Sequence, residues 1–188
     1  MYKKVSMTLI MASAILAILI VPWAALQRSH AQSDFVDTIL KMHNDERAAT
    51  PAGSGVDPLV WSNSLAADAK SWAENLATRN QGKMLNELTQ NDLVHATGTG
   101  QGENLAMRWT AGTGQVRPPS TESLVSGWID EKPYMGGHYT QMVWKNTKEV
   151  GCAIATSNGK TDNGMAGVVA YLVCRYSPPG HTGGGPPY

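Results

Sequence analysis

The sequence predicts an α+β domain in which helices pack on a small antiparallel sheet. Apolar residues recur at helical spacing in two stretches early in the chain and in a third near its middle. Two apolar runs then follow, separated by the polar turn sequence "SNGKTDNG". Helices that precede a pair of strands in this order are typical of helices packed on one antiparallel sheet.

The first 31 residues have the pattern of an export signal and are excluded from the predicted domain. Two lysines precede an uncharged run from Val5 to Leu26, and small residues lie just before a cleavage point at Gln32. The run has 22 residues, which is also long enough to span a bilayer, so an uncleaved N-terminal anchor is the alternative. Both interpretations place residues 32–188 outside the cytosol, and a membrane is a partner only if the segment stays uncut.

The helical patterns cover residues 33–49, 63–79 and 121–130, and a short helical turn fits residues 139–144. The first helix is predicted to begin at Ser33, which is placed to cap it. Residues 81–121 are rich in Gly, Thr, Asn and Gln and are expected to be mostly irregular. His43 falls on the apolar side of the first helix, where a core or capping role is expected. Four tryptophans are assigned to packing: Trp61, Trp72, Trp128 and Trp144.

The predicted strands are residues 150–156 and 168–176, and each contains one of the two cysteines, Cys152 and Cys174. In an exported chain an even number of cysteines indicates a disulfide, and two strands joined by a turn can place these two side by side. Closing such a loop stabilises a domain by roughly 3 kcal/mol on the chain-entropy estimate. The alternative is a reactive thiol, but a cysteine in the middle of an apolar strand is usually inert.

Charge and length limit the possible function. Without residues 1–31 the chain carries 12 basic and 15 acidic side chains, a net charge of −3 with neutral histidines. This balance argues against a nucleic-acid partner, which needs a basic surface. The remaining length suits one domain, predicted over residues 32–180, followed by a Gly/Pro-rich tail over residues 181–188 that is expected to be flexible.

Four separated blocks resemble the cysteine-rich secretory, venom-antigen and plant pathogenesis-related (CAP) superfamily. They are "HNDERAA" from His43, "LVHATGTGQGENLA" from Leu93, "GHYTQMVWKNT" from Gly137 and "YLVCRYSPPG" from Tyr171. The blocks stand in the family's order, and the resemblance extends over nearly all of residues 34–180. It implies a secreted protein with a three-layer α-β-α sandwich, which is more specific than the fold predicted from periodicity.

The resemblance also implies a central cleft lined by two histidines and two glutamates. Matched motif by motif, these are His95, Glu103, Glu131 and His138. The two histidines are the ligands where a metal binds in the family, so the implied cofactor is a divalent cation such as zinc. Imidazole suits such ions, and adjacent carboxylates can orient the rings. Tyr139 and Gln141 flank His138 and are expected to line the same cleft.

A structural interpretation of these four residues stays open beside the metal site. The spacings contain no compact metal motif such as HExxH, and spacing alone would not predict a site. Each glutamate could instead hydrogen-bond a neighbouring histidine and hold two loops together without any chemistry.

Three functions follow from these interpretations. The first is a secreted binding module whose cleft binds a divalent cation; the resemblance also implies lipid or sterol binding in grooves between helices and interaction with other extracellular molecules. The second is a metal-assisted hydrolase or protease with Glu103 or Glu131 as the base, although the sequence shows no activated nucleophile. The third is a structural protein of the cell envelope with an inert cleft.

Overall fold

A computed structural model describes the chain over residues 23–181 and 186–188. Its helices and strands are α1 (Trp23–Ala48), β1 (Val60–Trp61), α2 (Asn63–Arg79), β2 (Gly102–Ala111), α3 (Thr121–Ile129), α4 (Gly137–Met142), β3 (Glu149–Lys160) and β4 (Ala166–Ser177). Single turns of 3-10 helix occur at Leu85–Glu87, Gln90–Asp92 and Lys132–Tyr134. The predicted α+β class is confirmed.

The sheet has four strands in the order β1-β3-β4-β2. β4 pairs antiparallel with both β3 and β2, and the two-residue β1 pairs parallel with β3. The two predicted antiparallel strands therefore form the centre of a larger, mixed sheet.

The sheet separates two hydrophobic cores, and β4 contributes to both. Since the side chains of a strand point alternately to opposite faces, its even-numbered and odd-numbered residues enter different cores. Ala170, Leu172, Cys174 and Tyr176 pack with α1, α3 and α4, whereas Val169, Tyr171 and Val173 pack with α2. Helices thus cover both faces, which confirms the three-layer α-β-α sandwich.

The predicted disulfide between Cys152 and Cys174 is present. The two residues lie directly opposite each other on β3 and β4, with their Cα atoms 4.1 Å apart. The backbone N–H of Thr161 donates to the carbonyl of Met165, so odd-numbered residues form the hydrogen-bonded pairs of this ladder. The cysteines therefore occupy a non-hydrogen-bonded pair, where opposite Cα atoms approach most closely.

The first helix begins earlier than predicted. It starts at Trp23 rather than at Ser33, and Ser33 is no cap because it lies inside the helix, where its hydroxyl donates to Asp37 at 3.5 Å. Residues 24–31 contain no Gly or Pro that would end a helix. The predicted export signal falls largely on residues 1–22, which lie outside the described part. Among the described residues, no helix is both long and apolar enough to cross a membrane.

The expectation of a mostly irregular segment over residues 81–121 is wrong at β2. The odd-numbered residues of β2 include Leu105, Met107 and Trp109, whereas its even-numbered residues are small or polar. This period-2 alternation is a strand signal, but the glycines on both sides of it favour a loop.

The other predicted elements need only small corrections. α2 has the predicted bounds, and α3 ends at Ile129, one residue early. The helical turn predicted over residues 139–144 is α4, which begins and ends two residues earlier. Both predicted strands extend further at each end. In the predicted tail, residues 182–185 lie outside the described part, while Pro187 is buried and its carbonyl accepts from the N–H of Lys145 at 2.6 Å.

His43 has the satisfied core role that its position predicts. It is fully buried on α1, with Nδ1 2.8 Å from the carbonyl oxygen of Ile39 and Nε2 2.8 Å from the hydroxyl of Tyr176. A neutral ring satisfies both contacts if Nδ1–H donates and Nε2 accepts. Burial lowers the pKa of His43 from 6.5 to about 4.

Arg47 lies one turn further along α1 and joins this helix to the segment after α4. It is 1% exposed, and its guanidinium donates to the carbonyls of Met142, Trp144 and Thr147 at 2.9–3.0 Å. Its Nε donates to the carbonyl of Asp57 at 2.6 Å. Burial lowers the pKa of Arg47 to about 10, so the side chain stays charged at neutral pH.

Candidate functional site

A cleft of about 670 Å³ opens between the start of β2, α4 and the segment that follows β4. Five of the six residues predicted to line it do so: His95, Glu103, Glu131, His138 and Gln141. They come from different parts of the chain, and the sandwich brings them to one surface.

His95 is held by Glu103 at the start of β2. Its Nδ1 lies 2.6 Å from Oε1 of Glu103, and the same oxygen accepts from the backbone N–H of Ala96 at 3.1 Å. The Trp72 indole donates to the carbonyl of Val94 at 2.9 Å and fixes this loop to α2. The imidazole itself is 60% exposed, so it is oriented by the carboxylate and open to the cleft.

Arg175 holds the other oxygen of Glu103. Its Nη2 is 2.9 Å from Oε2 of Glu103, and the two side chains are 3% and 5% exposed. Breaking such a pair by removing one partner leaves a buried charge, which costs about 3–5 kcal/mol. Arg175 therefore fixes Glu103, and through it His95. The motif match contained Arg175, but nothing in the sequence alone marked it as a partner of the cleft.

Glu131 holds His138 in the same way. Nδ1 of His138 lies 2.6 Å from Oε1 of Glu131, while Oε2 accepts from the backbone N–H groups of His138 and Tyr139 at 2.9 and 3.3 Å. The carboxylate therefore orients the imidazole and also satisfies the first turn of α4. The ring stacks on Trp128, with the ring centres 6.0 Å apart and the planes at 19°.

Gly136 permits the close approach of Glu131. A Cβ atom at this position would lie 2.7 Å from Cβ of Glu131, closer than real Cβ atoms approach. The sequence "YMGGHYT" thus places a residue without a side chain where the carboxylate folds back onto α4. Asn104 adds a further support, since its amide donates to the carbonyl of His138 at 2.9 Å.

Both histidines present the same nitrogen to the cleft. With Nδ1 engaged by a carboxylate, Nε2 of His95 and of His138 has no hydrogen-bond partner among the described residues. A carboxylate that accepts from Nδ1–H fixes the tautomer in which Nε2 carries a lone pair, and this arrangement supports metal-bound imidazoles. The two rings can therefore donate to a cation or accept a hydrogen bond.

The donor set is small. Within residues 23–181 and 186–188, no three His, Cys, Asp or Glu side chains are grouped as ligands for one metal ion. The carboxylate oxygens of Glu103 and Glu131 already contact the histidines, backbone N–H groups and Arg175. The described residues therefore offer no closed structural metal site, and an ion bound to an imidazole here would complete its coordination with water or a bound molecule.

Tyr139 and Gln141 differ in position. Tyr139 is 1% exposed and does not line the cleft, because it follows His138 on a helix and points about 100° away from it. Burial raises the pKa of its hydroxyl. Gln141 lines the cleft and holds its floor: Oε1 accepts from the N–H of Gly180 at 2.8 Å, and Nε2 donates to Thr147 at 3.2 Å.

His181 also lines the cleft, which its place in a predicted flexible tail did not indicate. Its ring lies 5.0 Å from that of Trp144, and Nε2 is 3.2 Å from both the Thr140 hydroxyl and the Gly137 carbonyl oxygen. Unlike the rings of His95 and His138, this one has its Nε2 engaged. Tyr134 stands at the rim with 71% of its surface exposed.

Comparison with known proteins identifies similar chains. The family model described as "CAP: Cysteine-rich secretory protein family" matches residues 40–176. Pathogenesis-related protein 1B of Nicotiana tabacum is 36% identical over 173 residues, which covers 85% of this chain and 84% of that protein. Venom allergen 5 of Brachyponera chinensis is 32% identical over 191 residues, with coverage of 85% and 86%.

Solved structures are similar at lower identity. The crystal structure of MpPR-1i is 22% identical, with a TM-score of 0.49 and coverage of 78% of this chain and 89% of that one. The crystal structure of NaASP2 with Zn²⁺ is also 22% identical, with a TM-score of 0.47 and coverage of 79% and 82%.

Proposed function

The chain belongs to the cysteine-rich secretory protein (CAP) family, and from this membership and the cleft we propose that it is an exported binding module. Its cleft holds a divalent cation, such as zinc, between His95 and His138, and captures an extracellular ligand beside it. The observation that carries the proposal is the pair of Nδ1–carboxylate hydrogen bonds, at 2.6 Å each, that leaves both Nε2 atoms available in one cleft.

The cleft lining offers polar contacts to a ligand. Imidazole, amide and carboxylate groups surround the space, together with the backbone of several glycines. A small extracellular molecule with oxygen or nitrogen donors could complete the coordination of the cation and bond to the rim.

The hydrolase alternative finds less support. A general base needs a free lone pair within hydrogen-bond reach of the water it activates. Glu131 uses both oxygens on His138 and α4. Glu103 uses Oε1 on His95, and its Oε2 is buried beside the Arg175 guanidinium, out of reach of solvent. Both glutamates therefore orient histidines, which suits binding more than turnover.

Calorimetric titration of zinc into the exported protein tests the proposal. We expect zinc to bind the unmodified protein. The affinity should fall by about tenfold or more in His95→Ala, and likewise in His138→Ala, since each change removes one of two ligands. His181→Ala is the matched control, because this third cleft histidine has its Nε2 engaged. Equal zinc affinity in all four proteins would rule out the metal site.

Two further measurements separate the alternatives. If the protein turns over peptide or ester substrates in the presence of zinc, and Glu103→Gln or Glu131→Gln abolishes this turnover, the protein is an enzyme and not a binding module. A structural role with an inert cleft predicts that His95→Ala lowers the free energy of unfolding while zinc leaves the midpoint of thermal unfolding unchanged. The proposed function predicts that zinc raises that midpoint in the unmodified protein and not in a variant that combines His95→Ala with His138→Ala.

A further inference from the structure

The outer edge of β2 carries unpaired backbone groups in a regular row. The indole of Trp128 donates to the carbonyl of Leu105 at 3.0 Å, on the side away from β4. The N–H of Gly112 donates to Ala166, on the side of β4. Both groups of a residue in an antiparallel strand point the same way, and the direction alternates along the strand. The odd-numbered residues of β2 therefore direct their N–H and C=O groups outward.

Met107 and Trp109 are outward-facing residues of β2 with unbonded backbone groups. β2 is an edge strand of the sheet, and the backbone groups of these two residues have no partner in the described part of the chain. Leu105 differs, since Trp128 already occupies its carbonyl. Trp109 is 43% exposed, so this end of the edge is open to solvent.

The open edge lies in a trough rather than on a flat surface. Two adjoining grooves of about 340 and 470 Å³ share Met107 and Arg108 as their floor. One wall is α3, through Leu124, Gly127 and Trp128, and the other is the segment over residues 88–93. The first groove ends at Glu131 and His138, which also line the cleft.

The floor of this trough carries an unpaired positive charge. Arg108 lines both grooves, is exposed and forms no ion pair with any described residue. Its guanidinium lies beside Gly127, where the absence of a side chain leaves space over α3. An acidic group bound in the trough would form an ion pair with the Arg108 guanidinium.

We propose that the β2 trough binds an extended polypeptide segment that carries an acidic side chain and adds to the sheet as a fifth strand. Donors and acceptors that recur every second residue along an edge match the backbone of another extended chain. The exposed Arg108 on the floor, unpaired within the described part of the chain, favours a segment that brings a carboxylate into the trough. The proposal is independent of the cation and extends the binding surface from the cleft along β2.

The probe is a capped heptapeptide of alternating valine and threonine with a central glutamate, added to the exported protein in the presence of EDTA. We expect the amide resonances of Met107 and Trp109 to shift and their hydrogen exchange to slow, because both groups gain partners. A peptide with lysine in place of glutamate should bind about tenfold more weakly, and Arg108→Glu should reverse this preference.

Trp109→Pro removes one outward N–H while every bond to β4 remains, which is the position where an edge strand accepts proline. We expect about a tenfold loss of affinity in Trp109→Pro, against a change within about threefold in Trp109→Ala, which keeps the N–H. A peptide methylated on alternate backbone nitrogens makes the same test from the ligand side, whether or not the proline variant folds.

Several results would overturn the proposal. They are unshifted Met107 and Trp109 amides at saturating peptide, equal affinity of Trp109→Pro and Trp109→Ala, and equal affinity for the methylated peptide. A dimer in sedimentation that Trp109→Pro dissolves would assign the edge to a second copy instead. Because EDTA is present throughout, peptide binding and zinc binding succeed or fail separately.

Discussion

His95 and His138 each have their ring orientation fixed by a carboxylate, and each carboxylate is fixed in turn. Glu103 depends on buried Arg175, and Glu131 depends on the first turn of α4 and on the space beside Gly136. Such second partners decide how firmly a ligand is held. Sequence resemblance implied the four cleft residues, whereas the supports appear only in three dimensions; Arg175, for example, lies on β4 and Glu103 on β2.

His43 predicts a dependence of stability on pH. Its pKa is about 4 in the folded protein, against an ordinary value of 6.5 for the unfolded chain, so between these values the unfolded chain binds more protons. Stability should be full above pH 6.5 and fall by about 3 kcal/mol as the pH approaches 4. Denaturant unfolding between pH 4 and 7 measures this slope. His43→Gln, which cannot titrate, should show a shallower one, and identical slopes would refute the assignment.

Arg47 predicts a large loss of stability when its donors are removed. Arg47→Met removes the donor from three buried carbonyl groups and from the part-buried carbonyl of Asp57, so we expect the free energy of unfolding to fall by about 3 kcal/mol or more. Arg79→Met, at an exposed arginine of α2, should change it by less than about 0.5 kcal/mol. Similar losses in the two variants, measured by urea unfolding, would contradict the role of Arg47 in joining α1 to α4.

At the scale of elements, periodicity predicted the helices better than the strands. α2 and α3 have apolar stripes that face a core, and their predicted bounds agree with the structure to within a residue. β2 was missed although its residues alternate, because turn-forming residues dominate the sequence around it. β1 has two residues and is defined by its pairing with β3, so no local pattern could indicate it.

Gly151 predicts a steric test of the contact between α2 and β3. A Cβ atom there would lie 2.5 Å from the carbonyl oxygen of Ser62 and 2.7 Å from the carbonyl carbon of Leu65. Backbone atoms cannot move aside as a flexible side chain can, so Gly151→Ala should cost about 3 kcal/mol. Gly112→Ala meets nothing within 4 Å and should stay within about 0.5 kcal/mol. Equal melting temperatures of these two variants would contradict the close contact between α2 and β3.

At the scale of the whole molecule, the sandwich explains why four distant sequence blocks matter together. β2 supplies Glu103, α4 supplies His138, and the segment after β4 closes the cleft with Gly180 and His181. Sequence resemblance implied that Glu103 and His138 share this cleft. Periodicity and spacing could not, because contacts such as that of Asn104 with His138 join residues 34 positions apart.

A crystal grown with zinc and measured at the zinc absorption edge tests the central claim, a cation held by His95 and His138, most directly. We predict one anomalous peak in the cleft, about 2.1 Å from Nε2 of each ring, with the Nδ1–carboxylate bonds retained. A cleft without a peak at saturating zinc, or a peak bound to one ring alone, would contradict the account.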